Sequence, residues 1–148
     1  MAIDIEKYLR KRANRINSFS GSYMSDTKWT KVFTILSQQA DIATKCLGKS
    51  IWDDHLREIP IPTFENFTDS FSQTGILDGV GSVGPTSFDE IEWIEFPATW
   101  TISRRNRNEQ LEPFKYKQDI IRLKKILKAA GELETEINND KLIVYGYK

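Results

Sequence analysis

Cysteine and histidine are nearly missing from this chain, with one of each in 148 residues. One Cys cannot build a disulfide framework or a cysteine zinc site, and one His excludes any centre that needs two imidazoles. No apolar run approaches the roughly 18 residues of a membrane span. There is no excess of one charge either, because 21 Lys and Arg face 21 Asp and Glu. General nucleic-acid coat proteins are usually strongly basic, so this balance speaks against one. A basic segment followed by an apolar run would open a secretory leader; Met1-Ala2-Ile3-Asp4-Ile5-Glu6 has neither. The expectation is a cytoplasmic protein with a reduced Cys46, no membrane association and an unglycosylated Asn66-Phe67-Thr68 sequon. What is present is an ordinary globular composition, 39% hydrophobic and 28% charged, sized for a single domain over residues 1–148.

Zero net charge conceals opposed blocks. Between residues 53 and 95 stand ten acids and one base, Arg57. The same stretch holds Phe64, Phe67 and Phe71, with Pro60 and Pro62, and turns glycine-rich from Gly75 to Gly84. Regular structure is expected to be sparse there before a strand at 91–96. Loops this long are uncommon unless they bind something. Positive charge collects between Arg104 and Lys128, where nine bases face three acids. A third block is the N-terminal stretch, where Lys7, Arg10, Lys11, Arg12 and Arg15 follow Asp4 and Glu6. Blocks that stay exposed can steer partners of opposite sign.

Hydrophobic periodicity places the elements. Ile5, Tyr8, Leu9, Ala13 and Ile16 recur at helical spacing over 3–16 and predict a basic amphipathic helix lying on the surface by one stripe. Ser25 or Asp26 caps a second helix, 26–37, carrying Trp29, Val32, Phe33 and Leu36. Residues 42–47 read as a short strand stopped by Gly48. Ile120, Ile121, Leu123, Ile126 and Leu127 mark a third helix within 117–130, closed by Gly131 in a left-handed C′ position. Leu133, Thr135 and Ile137 alternate with glutamates, Asn138-Asn139-Asp140 turns the chain, and a returning strand runs over 142–147. The predicted fold class is α/β of the α+β kind. It is one domain with a small antiparallel sheet (42–47, 91–96, 133–137, 142–147), about three helices, and a C-terminal helix plus β-hairpin. Trp29, Phe33, Leu36, Ile94, Ile120, Leu123, Leu127, Ile137 and Val144 are the expected core.

Chemical motifs are weak. Gly79-Val80-Gly81-Ser82-Val83-Gly84 spells G-x-G-x-x-G, but Pro85 and a strand follow where a phosphate-binding helix should begin. Asp89, Glu90, Glu92 and Glu95 could suggest a metal-dependent hydrolase or nuclease. Strand alternation would send Glu92 and Glu95 to opposite faces, which argues against convergence on a metal. His55 lies among Asp53, Asp54 and Glu58 and could serve as a base, with Cys46 or a serine as nucleophile; nothing in the spacing requires it. A buried, inert thiol is the ordinary state of a lone Cys. Arg104, Arg105 and Arg107, with Trp100 to stack on a base, form a small nucleic-acid patch, but three arginines neutralise few phosphates. No cofactor, metal site or catalytic residue is expected.

Three segments together resemble an uncharacterised bacterial family of small proteins, a domain of unknown function. They are Met24-Ser25-Asp26-Thr27-Lys28-Trp29, Ile91-Glu92-Trp93-Ile94-Glu95-Phe96 and Ile143-Val144-Tyr145-Gly146-Tyr147, spanning most of 24–147. That resemblance implies a compact α/β domain and carries over no catalytic residues. In style the chain is also similar to immunity proteins of contact-dependent and other interbacterial toxin systems. This second resemblance implies a non-enzymatic cytoplasmic protein whose partner is a cognate toxin domain, a basic nuclease being the natural match for an acidic, aromatic surface. Asp53, Asp54, Glu58, Glu65 and Asp69 would then be the partner-binding residues, each accepting from a Lys or Arg of the toxin. Nucleic acid is not the expected partner.

Overall fold

A computed structural model describes residues 4–61, 75–76, 86–106 and 109–148. Three helices form where the caps stand. Asp4 accepts from the Lys7 amide (3.0 Å) and opens α1, Ile5–Asn17. Ser25 accepts from the Lys28 amide (3.1 Å) and opens α2, Asp26–Gln38. Asp119 accepts from the Arg122 amide (3.0 Å) and opens α3, Ile120–Leu127, which tightens into a 3-10 turn at Lys128–Ala130. Each cap satisfies an amide that the helix cannot bond internally. The third helix is therefore shorter than the predicted 117–130, because Lys117 still belongs to a strand. Gly131 does follow with a positive φ of 115°, but at ψ −163° it is outside the left-handed helical well.

The main sheet has five antiparallel strands in the order β2-β1-β5-β9-β8. These are β1 (Leu47–Ser50), β2 (Leu56–Glu58), β5 (Ile91–Pro97), β8 (Thr135–Asn138) and β9 (Lys141–Tyr145). Two short strands, β3 (Gly75–Ile76) and β4 (Thr86–Ser87), pair with each other ahead of a 3-10 turn at Phe88–Glu90. A separate ribbon consists of β6 (Thr99–Asn106) and β7 (Glu109–Lys117). The fold is thus a single α+β domain with an antiparallel sheet and, among the described residues, three α-helices, and the C-terminal helix-plus-hairpin stands as predicted. Asn139 and Asp140, at φ 51° and 57°, supply the two positive-φ residues of the β8–β9 turn.

Helices α2 and α3 cover one face of the sheet. Trp29, Val32, Phe33 and Leu36 of α2 and Leu123 and Leu127 of α3 meet Ile94, Phe96, Leu142 and Val144, all buried. Two layers around one apolar seam is the minimal way to bury both an amphipathic helix pair and one sheet face. Gly146 lies where the chain leaves β9; a Cβ there would sit 2.5 Å from the Ile91 carbonyl oxygen and 3.2 Å from Trp29 Cζ2. Only glycine lets the C-terminal backbone come this close to β5.

Three expectations fail. The first strand is not 42–47: Ile42 and Ala43 donate to the Gln39 carbonyl in a turn, and pairing starts at Leu47, so Gly48 lies inside β1 opposite Arg57 and Ile94 rather than ending it. Ile137 is 43% exposed instead of core, because β8 is an edge strand that the helices do not reach. The apolar stripe of α1 does not pack on the core either; α1 has no buried residue, and Ile5 and Leu9 remain in solvent. Arg12 and Arg15 hold it instead, through the contacts described next.

Candidate functional site

Most of the acidic block is matched by the chain's own bases. Arg12 faces Asp89 (3.4 Å) and Glu90 (3.7 Å), and Tyr8 donates to Glu90 (2.5 Å). Arg15 lies 3.8 Å from Glu92 and donates to the Ile51 carbonyl (2.8 Å). The N-terminal basic helix is therefore the counter-charge of the 89–92 acids. Burial first of all, with Glu90 adding repulsion, raises the Asp89 carboxyl above its ordinary range, while Arg12 pulls it back.

Glu92 reaches Lys49 through a defect in the sheet. Lys49 pairs with Trp93 but Ser50 pairs with Ile91, leaving Glu92 as the extra residue of a bulge. Alternation breaks there, so Glu92 joins Lys49 on the side of Trp93 and Glu95, contrary to the opposite-face expectation. Glu95, 3% exposed, accepts from the Trp93 indole (2.9 Å) and faces Lys141 (3.4 Å). Tyr145 donates to Glu136 (2.7 Å) beside them. This outer face is a mesh of satisfied ion pairs rather than an open anionic surface.

Burial, the hydrogen bond to Glu136 and the charge on Glu136 push the Tyr145 phenol up to about 12. The folded state thus favours the neutral phenol more than the unfolded chain does. The resulting stabilisation is complete below about pH 10 and is lost as pH rises toward about 12. Tyr145→Phe should flatten the alkaline fall in stability, as read by urea unfolding at about pH 9.5 and about pH 11.5. An unchanged pH slope would contradict this.

The expected docking acids divide. Asp53 caps the His55 amide (3.0 Å) and faces Arg57 (3.4 Å); Glu58 faces Lys45 (3.8 Å); Asp54 is fully exposed, 4.0 Å from Lys49. Glu65 and Asp69 lie outside the described residues, as does the 79–84 glycine motif. Surface pairs of this kind are worth about 0–1 kcal/mol and leave the carboxylates reachable. Lys49 is shared with Glu92, so these three acids have two bases of their own, Arg57 and Lys45, and a single negative charge is left over at Asp54.

The basic block behaves differently. Among the described residues, no carboxylate lies within 4 Å of Arg104, Lys115, Lys117, Arg122, Lys124, Lys125 or Lys128. The first three stand on the β6–β7 ribbon, about 27 Å long at about 3.4 Å per residue. Cross-strand partners Trp100–Tyr116 and Ile102–Phe114 share one face of it. Trp100 and Tyr116 stack at 5.7 Å, and Arg104 covers the Phe114 ring at 4.4 Å. Ile102 and Phe114 are each 49% exposed and Tyr116 is 41% exposed. Three adjoining large side chains, Ile102, Phe114 and Tyr116, thus stand about half in water on one strand pair.

The two edges of the ribbon differ. Between Ile102↔Phe114 and Arg104↔Leu111 the register slips, which places Pro113 at a bulge of β7. A bulge and a proline blunt an edge, and the β7 lysines add repulsion. Strand β6 has neither, and among the described residues nothing pairs with its outer edge. At the ribbon's root, Gln118 accepts from the Thr44 and Lys45 amides (3.0 and 3.2 Å) and donates to the Lys45 and Pro97 carbonyls (2.9 and 2.7 Å). A groove of about 470 Å³ opens there between Trp100, Ile102, Tyr116 and Lys117 on one side and Thr44, Lys45 and Glu58 on the other. Among the described docking acids, Glu58 alone borders this groove.

Catalytic arrangements are not assembled by the described residues. Cys46 is fully buried, and burial drives its thiol far above the usual range, so it is no thiolate nucleophile. His55 is exposed beside its Asp53 cap. No group of three His, Cys, Asp or Glu among the described residues could hold a metal ion, and no described helix is long and apolar enough to cross a membrane. The sequence reading missed the ribbon as a structural unit, although Thr99-Trp100-Thr101-Ile102 and Phe114-Lys115-Tyr116 show the period-two signal of strands. No protein-family model matches the chain, and no curated protein or solved structure matches it.

Proposed function

We propose that this chain is a non-catalytic binding protein that docks a partner protein on the β6–β7 ribbon. The observation that carries the reading is the exposed Ile102–Phe114–Tyr116 face, flanked by cations that meet no carboxylate and by a β6 edge that meets no strand among the described residues. Aromatic and Arg anchors with apolar neighbours are the composition of interface hot spots. The favoured partner presents an acidic, partly extended segment, which could add to β6 by main-chain hydrogen bonds. Single-stranded nucleic acid fits less well: the Arg104 guanidinium already covers Phe114, and Trp100 and Tyr116 stack on each other instead of offering free faces to bases.

Within this class, the specific proposal is a cytoplasmic immunity protein that neutralises a cognate toxin domain. A basic, aromatic arm restricts where it can meet a nuclease. A nuclease is basic over the groove that accepts nucleic acid, so the ribbon cations would meet carboxylates on another part of its surface. The acidic residues Asp53, Asp54 and Glu58 would then lie at the rim and contribute to steering rather than anchoring.

The test pairs the chain with the toxin domain encoded next to it and reads complex formation and growth rescue. Ile102→Glu combined with Phe114→Glu should abolish both while leaving the thermal midpoint nearly unchanged, since both side chains are half in solvent. Reversal of Asp53, Asp54 and Glu58 to Lys should slow association and leave the complex intact. Loss of the complex on acid reversal, with retention on ribbon substitution, would move docking to the acidic face. Absence of binding by the unmodified chain would remove the toxin as partner.

A further inference from the structure

A cleft of about 860 Å³ opens between the first turn of α2, the end of α3 and the segment leading into β8. Lys28, Lys124 and Lys128 all line it. Lys124 and Lys128 are four apart across the α3 terminus and so share one side of it. Lys28 is fixed at the wall by donating to the Glu132 carbonyl (2.9 Å), which leaves its ammonium two further donors. No carboxylate among the described residues lies within 4 Å of any of the three. Glu132 and Glu134 also border the cleft, and Lys148 engages Glu134 at 3.0 Å.

From this we infer that the cleft binds a small phosphorylated anion. Three lysines from two helices border one concavity against Glu132 and a Glu134 already engaged by Lys148, which leaves the lining net positive and suited to an anion. Its volume lies within the range of small-molecule sites, about 300–1,000 Å³. Ser22, Tyr23 and Thr135 line the same cleft, and Gly131 leaves open space where any other residue would place a Cβ. Lysines suit phosphate as compact point charges with rotatable donors. Complementing the α3 dipole accounts for lysines at that helix end, but not for Lys28, which comes from the first turn of α2. The site is separate from the ribbon and does not depend on the partner proposed above.

Titration calorimetry of the full chain with inorganic pyrophosphate, ATP and adenosine tests this. Saturable binding of pyrophosphate and ATP but not adenosine is expected. The Lys124→Gln/Lys128→Gln variant should weaken it by about tenfold or more. Lys128→Glu, at an exposed position, gives the same readout should the double variant fold poorly. Equal heats from sulfate at matched ionic strength, no saturable heat with pyrophosphate, or binding that the lysine variants leave unchanged would each overturn the inference.

Discussion

Lys49→Ala is expected to cost about 3 kcal/mol, near the lower end for removing one partner of a buried ion pair. Lys49 is buried within the sheet, where its ammonium meets Glu92, reaches the Ser50 carbonyl (3.2 Å) and lies 5.1 Å from the Trp93 ring. Truncation strands the Glu92 carboxylate, whose side chain is 13% exposed, with Arg15 at 3.8 Å as its remaining counter-charge. Arg15 is the reason for choosing the lower end. A midpoint fall on the order of 10 °C follows for a chain of this size. The pair itself is not expected to be a net source of stability, because desolvating two charges offsets most of their attraction. Lys49→Met combined with Glu92→Leu should therefore recover most of the loss. Chemical denaturation of the two singles and the double closes the cycle. A Lys49→Ala variant within about 0.5 kcal/mol of the parent would show that the mesh carries no weight.

Gln118→Leu should be nearly as damaging, at about 2–4 kcal/mol, although it keeps the volume and adds apolar surface. One side-chain amide satisfies two backbone N–H groups and two carbonyls from segments far apart in sequence. Leucine leaves all four without this partner, and Gln118 is 9% exposed, so water replaces it poorly. The local consequence distinguishes this substitution from a simple loss of packing. Amides of Thr44 and Lys45 should lose exchange protection first, and the ribbon should loosen at its root while the helical core stays protected. Because the ribbon is the proposed docking arm, partner affinity should fall even though Ile102 and Phe114 are untouched. Uniform loss of protection across α2 and α3 instead would mean that Gln118 only stabilises the whole domain.

What was legible in the sequence was local. The Ser25 cap, the Asn138-Asn139-Asp140 turn and the period of Trp29-Val32-Phe33-Leu36 each act within a few residues, so they survive folding unchanged; the Asp119 cap lay unread inside the expected 117–130 helix. Strand β1 was misplaced because Ile42-Ala43 looks like a strand start, whereas the Gln39 carbonyl captures both amides in a turn. The fate of the charge blocks was not legible at all. Pairing of Arg12 with Asp89 and of Lys49 with Glu92 joins residues far apart in the chain, and the bulge at Glu92 depends on how β1 and β5 align. These matches put a base beside each described acid of the 53–95 block, some bases serving two, and among the described residues no carboxylate lies within 4 Å of the ribbon cations Arg104, Lys115 and Lys117. The candidate docking face therefore shifts from the acids, where composition pointed, to the ribbon.

The most direct test is amide hydrogen exchange of the chain alone and in complex with the neighbouring toxin domain. Residues 99–106 and 111–117 should gain protection on binding, more strongly along β6 than along β7, with little change at 53–58. Protection concentrated at 53–58, with the ribbon as open in the complex as in the free chain, would contradict the account.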